Sequence, residues 1–333
     1  MDVYAGVVRL TNANAVMAPG GNGYFHVTNA NAVVEVTGGL DIPGGRTIYL
    51  SGVATTDSPS FRSVSGNNIW NGTLVLHIGD GDHVVGVDTG STLRINGNVN
   101  QTGGPDNLVK VGDGTLELKG AGTYTGQTRI LAGTLLANNT TGSATGTGLV
   151  RVIGGMLGGT GTVGGSVQVE SGGTVSAGNS PGKLTVQGDL TLQTGGTMLV
   201  ELAGYTQGGT QALPGQWSSN GYDWLSVGGS AQLQQNSILR VALLAGFEPQ
   251  PGDIFYVLTA SGGISDLGIQ LVPEGLRPAQ YWTYGIQPWQ GQGGGDVLFL
   301  TFHVPEPASG LLLGLGLLGW FLLRRWWKHS AAH

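Results

Sequence analysis

Gly112-Asp113-Gly114-Thr115-Leu116-Glu117-Leu118-Lys119-Gly120 is echoed further on by Gly133-Thr134-Leu135-Leu136-Ala137. In the first run, apolar Leu116 and Leu118 flank polar Glu117, the period-two pattern of a strand with one buried face. The Gly-Thr-apolar signature then returns along the chain, with its apolar position at Leu74, Leu93, Leu116, Leu135, Leu157, Val175 and Met198. The steps are 19, 23, 19, 22, 18 and 23 residues, a loose period near twenty. Met156 replaces the threonine in one copy, and Ser91 is inserted in another. Between these points the alternation recurs in Ser166-Val167-Gln168-Val169, Leu184-Thr185-Val186 and Leu190-Thr191-Leu192. Gly-Gly, Asn-Gly and Asp-Gly pairs bound these short runs, and glycine makes sharp bends sterically cheap. Short strands at this period predict coils of a parallel β-helix, each pairing with the next at about 4.8 Å. A propeller blade needs roughly 40 residues. Nearer the start, Thr11-Asn12-Ala13-Asn14-Ala15-Val16 returns seventeen residues later as Thr28-Asn29-Ala30-Asn31-Ala32-Val33, which reads as a further repeat.

Composition agrees with such a stack. The 333 residues include 63 glycines, only 10% are charged, and cysteine is absent. Typical chains carry about 7% glycine and about 25% charge. No strict Gly-x-y period is present, which excludes collagen, and 40% hydrophobic residues argue against disorder. Without cysteine there are no disulfides, thiol nucleophiles or thiolate metal sites, so burial and backbone pairing must hold the fold. Ahead of residue 308 the chain has 11 basic and 20 acidic residues. That balance argues against nucleic acid as a partner, since binding it needs clustered basic residues.

The C-terminal thirty residues differ in kind. Val304-Pro305-Glu306-Pro307 leads into an uncharged apolar stretch, 308–323, which Arg324-Arg325 stops, with Trp326, Trp327 and Lys328 behind. About sixteen residues at roughly 1.5 Å each is a barely sufficient membrane span. The basic cluster lies only on the far side, so the positive-inside rule leaves it in the cytoplasm and the rest of the chain outside. Gly310 and Gly314 suit close helix contact. Met1-Asp2-Val3-Tyr4-Ala5-Gly6 lacks the basic and apolar regions of a signal peptide, so a truncated or misplaced start is expected for this exported chain.

Two resemblances follow from these residues. The Pro-Glu-Pro triplet, short span and arginine cluster, in that order, resemble the PEP-CTERM sorting signal of Gram-negative bacteria. This implies that Pro305, Glu306 and Pro307 are read by an exosortase, a membrane-embedded transpeptidase-like enzyme. It also implies that the span holds the chain in the inner membrane, and that Arg324 and Arg325 set its orientation. An association with extracellular polysaccharide is likewise implied by this resemblance alone. The stretch from Gly112 through Tyr124-Thr125-Gly126-Gln127-Thr128 resembles the autotransporter-associated β-strand repeat, as do Ala177-Gly178-Asn179-Ser180-Pro181-Gly182 and Tyr222-Asp223-Trp224-Leu225-Ser226-Val227. Covering roughly residues 80 to 302, it implies a right-handed β-helix of the passenger type and no chemistry. True autotransporters end in an outer-membrane barrel, which needs well over 200 residues of alternating pattern. A single span stands in its place here, so self-translocation through a barrel is out.

Candidate chemistry is sparse. Gly178-Asn179-Ser180-Pro181-Gly182 matches the nucleophile elbow in letters, yet Pro181 and the following Leu184-Thr185-Val186 predict a turn and a strand where the elbow needs a helix. Gly159-Thr160-Gly161-Thr162-Val163-Gly164 matches the dinucleotide fingerprint, again without a helix. Asp80, Asp82 and His83 crowd one predicted turn, but the tandem nonapeptides of a calcium site are missing. A β-helical lyase or hydrolase needs grouped carboxylates on one face, whereas Glu117, Glu170, Glu201 and Asp223 are isolated in sequence. Tyr281, Trp282, Tyr284 and Trp289 form an aromatic group that either stacks on sugar rings or closes the end of the core.

The expectation is therefore an all-β, right-handed parallel β-helix over residues 1–204, with a loop or bulge at 205–220. Final β coils and a cap over 221–303 and a sorting tail at 304–333, with a membrane helix at 308–323, complete it. The expected protein is exported and surface-anchored, structural or adhesive, without catalytic, cofactor or metal residues. The alternatives are a polysaccharide lyase or hydrolase on the same scaffold, or a carbohydrate-binding module.

Overall fold

Short runs with alternating polarity bury alternate side chains. Thr134–Ala137, Val167–Val169, Lys183–Val186 and Leu190–Leu192 are strands that turn every second residue inward. The structure is a computed structural model describing residues 1–13, 23–51, 54–77, 81–179, 181–208, 221–244, 246–291 and 293–305. Among these the chain forms 34 strands and no α-helix.

The strands assemble into four sheets. The first has five strands, starting with Asp2–Val3, Tyr24–Val27, Thr47–Leu50 and Thr73–His77, and ending at Val99–Thr102. The second has eleven, running in order from Gly6–Leu10 to Ile264–Asp266. The third has twelve, and the fourth has six, beginning with Thr162–Val163. From Tyr24 to Leu118 the chain visits the first, second and third sheets in strict rotation. From Val150 it rotates through the second, third and fourth. Successive strands of one sheet pair in parallel, as in Thr92–Ile95 with Thr115–Leu118 and Thr115–Leu118 with Thr134–Ala137. This all-β, mainly parallel architecture agrees with the coils expected from the sequence. The membrane helix expected at 308–323 lies outside the described residues; among the described residues, no helix is long and apolar enough to cross a membrane.

Register shows which repeats are structural. In the third sheet Leu93, Leu116, Leu135, Leu157, Val175, Met198 and Leu239 form one inward column. Leu74 does not belong to it. It pairs with Ile48 and Val99 in the first sheet, and the residue beneath Leu93 is Asn68. The Gly-Thr-apolar signature marks a corner entering a strand, and more than one corner of the coil uses it. The seventeen-residue echo near the start is also not a structural repeat. Val7 pairs with Val33 and Val3 with Val27, offsets of 26 and 24 residues. Thr11 follows a strand of the second sheet, Gly6–Leu10, while Thr28 follows a strand of the first, Tyr24–Val27.

Glycine is required where one coil's corner rests on the backbone of the last. Gly97 and Gly120 form one such column, and Gly126, Gly148 and Gly165 another. A Cβ on any of these would lie under 3.0 Å from a carbonyl of the coil beneath, whether from Gly72, Gly97, Asp106, Gly126 or Gly148. Two residues left over from the expected 205–220 loop, Thr206 and Gln207, pair with Gly221–Tyr222, and residues 209–220 lie outside the described set. The strands before and after this segment join the same sheets.

Gly148→Ala must push two coils apart and should cost about 1–3 kcal/mol, the usual range for overpacking. Gly44→Ala, whose Cβ would meet only Asn71 O at 3.6 Å, should change stability by less than about 0.5 kcal/mol. Urea unfolding followed by circular dichroism measures both.

Candidate functional site

The stack closes at its C-terminal end with a change of strand direction. Tyr281–Pro288 and Asp296–His303 form an antiparallel pair, and the second of these also runs antiparallel to Ile254–Ala260. Their aromatic residues do not share one face. Trp282 is 5% exposed and packs against Phe255 and Phe302. Tyr205, Tyr222 and Phe247 complete a ring cluster around Phe255. Tyr281 points the other way, 47% exposed, and stacks on His303 with centroids 4.8 Å apart. Tyr284 is half-buried and donates its hydroxyl to Asp266 Oδ2 at 2.8 Å. Burial, together with that carboxylate, raises the Tyr284 pKa to about 12. Trp289 contacts Tyr256 at 5.6 Å. Of the sorting residues, Pro305 is described and exposed two positions beyond the last strand; Glu306, Pro307, Arg324 and Arg325 lie outside the described residues.

Two of the four carboxylates that seemed isolated in sequence, Glu117 and Glu170, are paired with arginines across coils. Glu117 accepts from Arg94 Nε and from Asn138 Nδ2, and Glu170 from Arg151 Nε. Glu35 bridges Arg9 and Arg62, and Arg62 makes a two-point contact with Asp88. A cleft on the second sheet, lined by Glu170, Ser171, Thr191, Gln193, Thr194 and Gln234, holds one carboxylate, the one tied to Arg151. Asp223 is enclosed instead. It accepts from the Gly182 and Glu201 amides, each at 3.0 Å, and from Ser176 Oγ. Burial pushes its pKa well up despite those donors. Thr162–Val163 and Lys183–Val186 are strands, so neither glycine motif opens a helix; Ser180 itself lies outside the described residues.

Ionisable groups inside the core escape sequence reading. Lys110 occupies an inward column of the second sheet between Val85 and Ile130, fully buried. Its ammonium donates to the carbonyls of Val111, Gly112 and Ala132 at 3.0, 2.6 and 3.2 Å. Burial lowers its pKa to about 8, against a small opposing effect of Asp113. His83, also inward, places Nε2 3.2 Å from Asp106 Oδ1, and both are buried. Burial outweighs Asp106 and lowers the His83 pKa. Asp82 faces outward to Arg129 and Asn107, so it and His83 diverge rather than share a cation site; Asp80 lies outside the described residues. Among the described residues no group of three histidine or carboxylate side chains is placed to hold a metal. Alternation locates these positions as inward, but only the register shows how Lys110 reaches polar partners there.

One surface group was also missed. Tyr24, His26, Tyr49 and His77, on the outer face of the first sheet, touch one another at centroid distances of 5.3 to 6.0 Å. Tyr24 and His26 share a strand, but Tyr49 and His77 each follow more than twenty residues further on, and only the coil register brings the group together.

The geometry of stacked glycine corners and a closing hairpin meets two known families. Residues 108–137 match the passenger-associated-transport-repeat, and residues 303–325 match the PEP-CTERM protein-sorting motif. The chain carries both features. The repeat spans Asn107–Val111, Thr115–Leu118, Thr128–Ile130 and Thr134–Ala137 almost entirely, including Lys110. The sorting motif implies export, membrane-associated sorting and recognition by an exosortase-type enzyme. No curated protein matches the chain.

Two outcomes test this account. Trp282→Ala should cost about 3–5 kcal/mol in unfolding free energy, while Tyr281→Ala should stay within about 0.5 kcal/mol. Lys110 has a folded pKa below its unfolded value, so its favourable contribution is complete above pH 10.5 and is lost as pH falls through about 8. Unfolding free energy should therefore rise between pH 7 and 10 by on the order of 2–3 kcal/mol more in the wild type than in Lys110→Met.

Proposed function

We propose that this chain is an exported structural or adhesive protein without catalytic activity, a right-handed parallel β-helix delivered to the cell surface through its C-terminal signal. The observation that carries the reading is the junction at His303. The sorting motif begins at the residue where the closing strand Asp296–His303 ends, so the signal starts where the β stack is complete. In this reading Pro305, Glu306 and Pro307 present the processing site, 308–323 forms the inner-membrane span, and Arg324 and Arg325 fix its orientation. The stack acts as a stiff spacer because each coil is bound to its neighbours by a ladder of backbone hydrogen bonds. A non-catalytic role is supported by the carboxylates, most of which are engaged with arginines or backbone amides. Extracellular polysaccharide is the proposed environment.

Intact-mass and terminal-peptide spectrometry on fractionated source cells tests the proposal. The expected result is a surface or extracellular form that has lost everything after the Pro-Glu-Pro triplet, and an unprocessed, mislocalised form when residues 304–333 are deleted. An uncut tail in the inner membrane, or unchanged surface location after the deletion, overturns it.

A further inference from the structure

The first sheet carries an aromatic surface that the closing hairpin does not need. Tyr24 and His26 come from Tyr24–Val27, Tyr49 from Thr47–Leu50, and His77 from Thr73–His77, three neighbouring strands. Alternation turns Phe25, Ile48, Leu74 and Leu76 into the core and these four rings outward. Interplanar angles of 68 to 85° make every contact edge-to-face, so each ring holds its neighbours in place. Ser51 Oγ fixes His26 through Nε2 at 2.6 Å, and Thr102 Oγ1 fixes His77 through Nδ1. The platform is therefore ordered before anything binds, which reduces the entropic cost of binding. Tyr24 remains 47% exposed.

The rim defines the ligand's chemistry. Asp2 lies 3.6 Å from His26 Nδ1 with 40% of its side chain exposed, and Asn100 continues the column beyond Val75. The five strands of this sheet contribute no lysine or arginine and a single carboxylate. An aromatic surface of ring faces and ring edges, with Tyr24 the most exposed and hydroxyl, amide and carboxylate oxygens at its border, suits a ligand with an apolar ring face and hydroxyl donors at its edge. It offers nothing to neutralise an acidic polymer. Its place in the fold is also favourable. The patch lies within the first coils, about 40 Å of strand stacking from the hairpin that leads into the sorting tail.

We propose that Tyr24, His26, Tyr49 and His77 form a binding platform for the pyranose rings of an uncharged polysaccharide. This deepens the adhesive reading above and rests on it for the biological setting, but its test does not depend on sorting.

The full chain, purified in detergent, is run in native gels containing hydroxyethylcellulose, dextran, xylan or galactomannan, with alginate as the acidic comparison. Retardation is expected in at least one neutral gel, with the apparent Kd raised about tenfold by Tyr24→Ala and by Tyr49→Ala. Tyr281→Ala, at the far end, should leave it unchanged. Unfolding curves of each variant establish that the fold is kept, and exposed Tyr24 provides the substitution least able to disturb it. The proposal is overturned by no retardation in any neutral gel, by stronger retardation in alginate, or by equal retardation of folded Tyr24→Ala. Sedimentation showing that the patch instead joins two copies of the chain overturns it as well. Failure of tail processing in cells would remove the adhesive setting while leaving this binding result intact.

Discussion

Everything in this fold depends on parallel backbone pairing between one coil and the next. A strand here gains most of its hydrogen-bond partners from residues some twenty positions away, and each coil must come down to about 4.8 Å from its neighbour along its whole circuit. Strands manage this readily, but corners do so only if nothing projects between them. The two glycine columns meet that condition, with carbonyls of one coil lying where the next coil's Cβ atoms would be. The unusual glycine content is thus a packing requirement first and a matter of backbone flexibility second. Low charge follows from the same geometry, since inward positions are apolar and outward charges are set against opposite charges on adjacent coils.

The sequence made the strand type, the inward faces and the parallel stacking readable, because alternation and glycine-bounded runs are local signals. Register was harder to read. Leu74 shares a signature with Leu93 yet faces the core from another sheet, since a Gly-Thr corner can precede any wall of the coil. The Thr-Asn-Ala echo misled for a related reason: it repeats a turn composition after strands of two different sheets. Aromatic residues near the C-terminus drew attention by crowding, yet Trp282 is part of the closing core. The rings from Tyr24 to His77 drew none, because residues separated by a full coil look unrelated along the chain.

The C-terminal end of the stack is built differently from its first coils. At the C-terminal end, antiparallel strands and a cluster of large rings cover the last aliphatic layer. That arrangement ends the parallel repeat decisively and sets the departure point of the sorting segment. The parallel strands of the first coils instead carry ordered rings on their outer face.

Lys110 has a consequence for how such a chain finds its place. Successive coils are so alike that one could settle a full step out of line and still bury leucine against leucine. An ammonium inside the stack removes that freedom. Displaced by one coil, it would keep the carbonyls of Val111 and Gly112 in its own coil but lose that of Ala132 in the next. Asn68, with its amide shared between Ser63, Ser65 and the amides of Gly39 and Leu40, sets a second fixed point lower in the stack. In a nearly periodic molecule these few buried polar groups serve as index marks, so that a repetitive sequence has one alignment and not several.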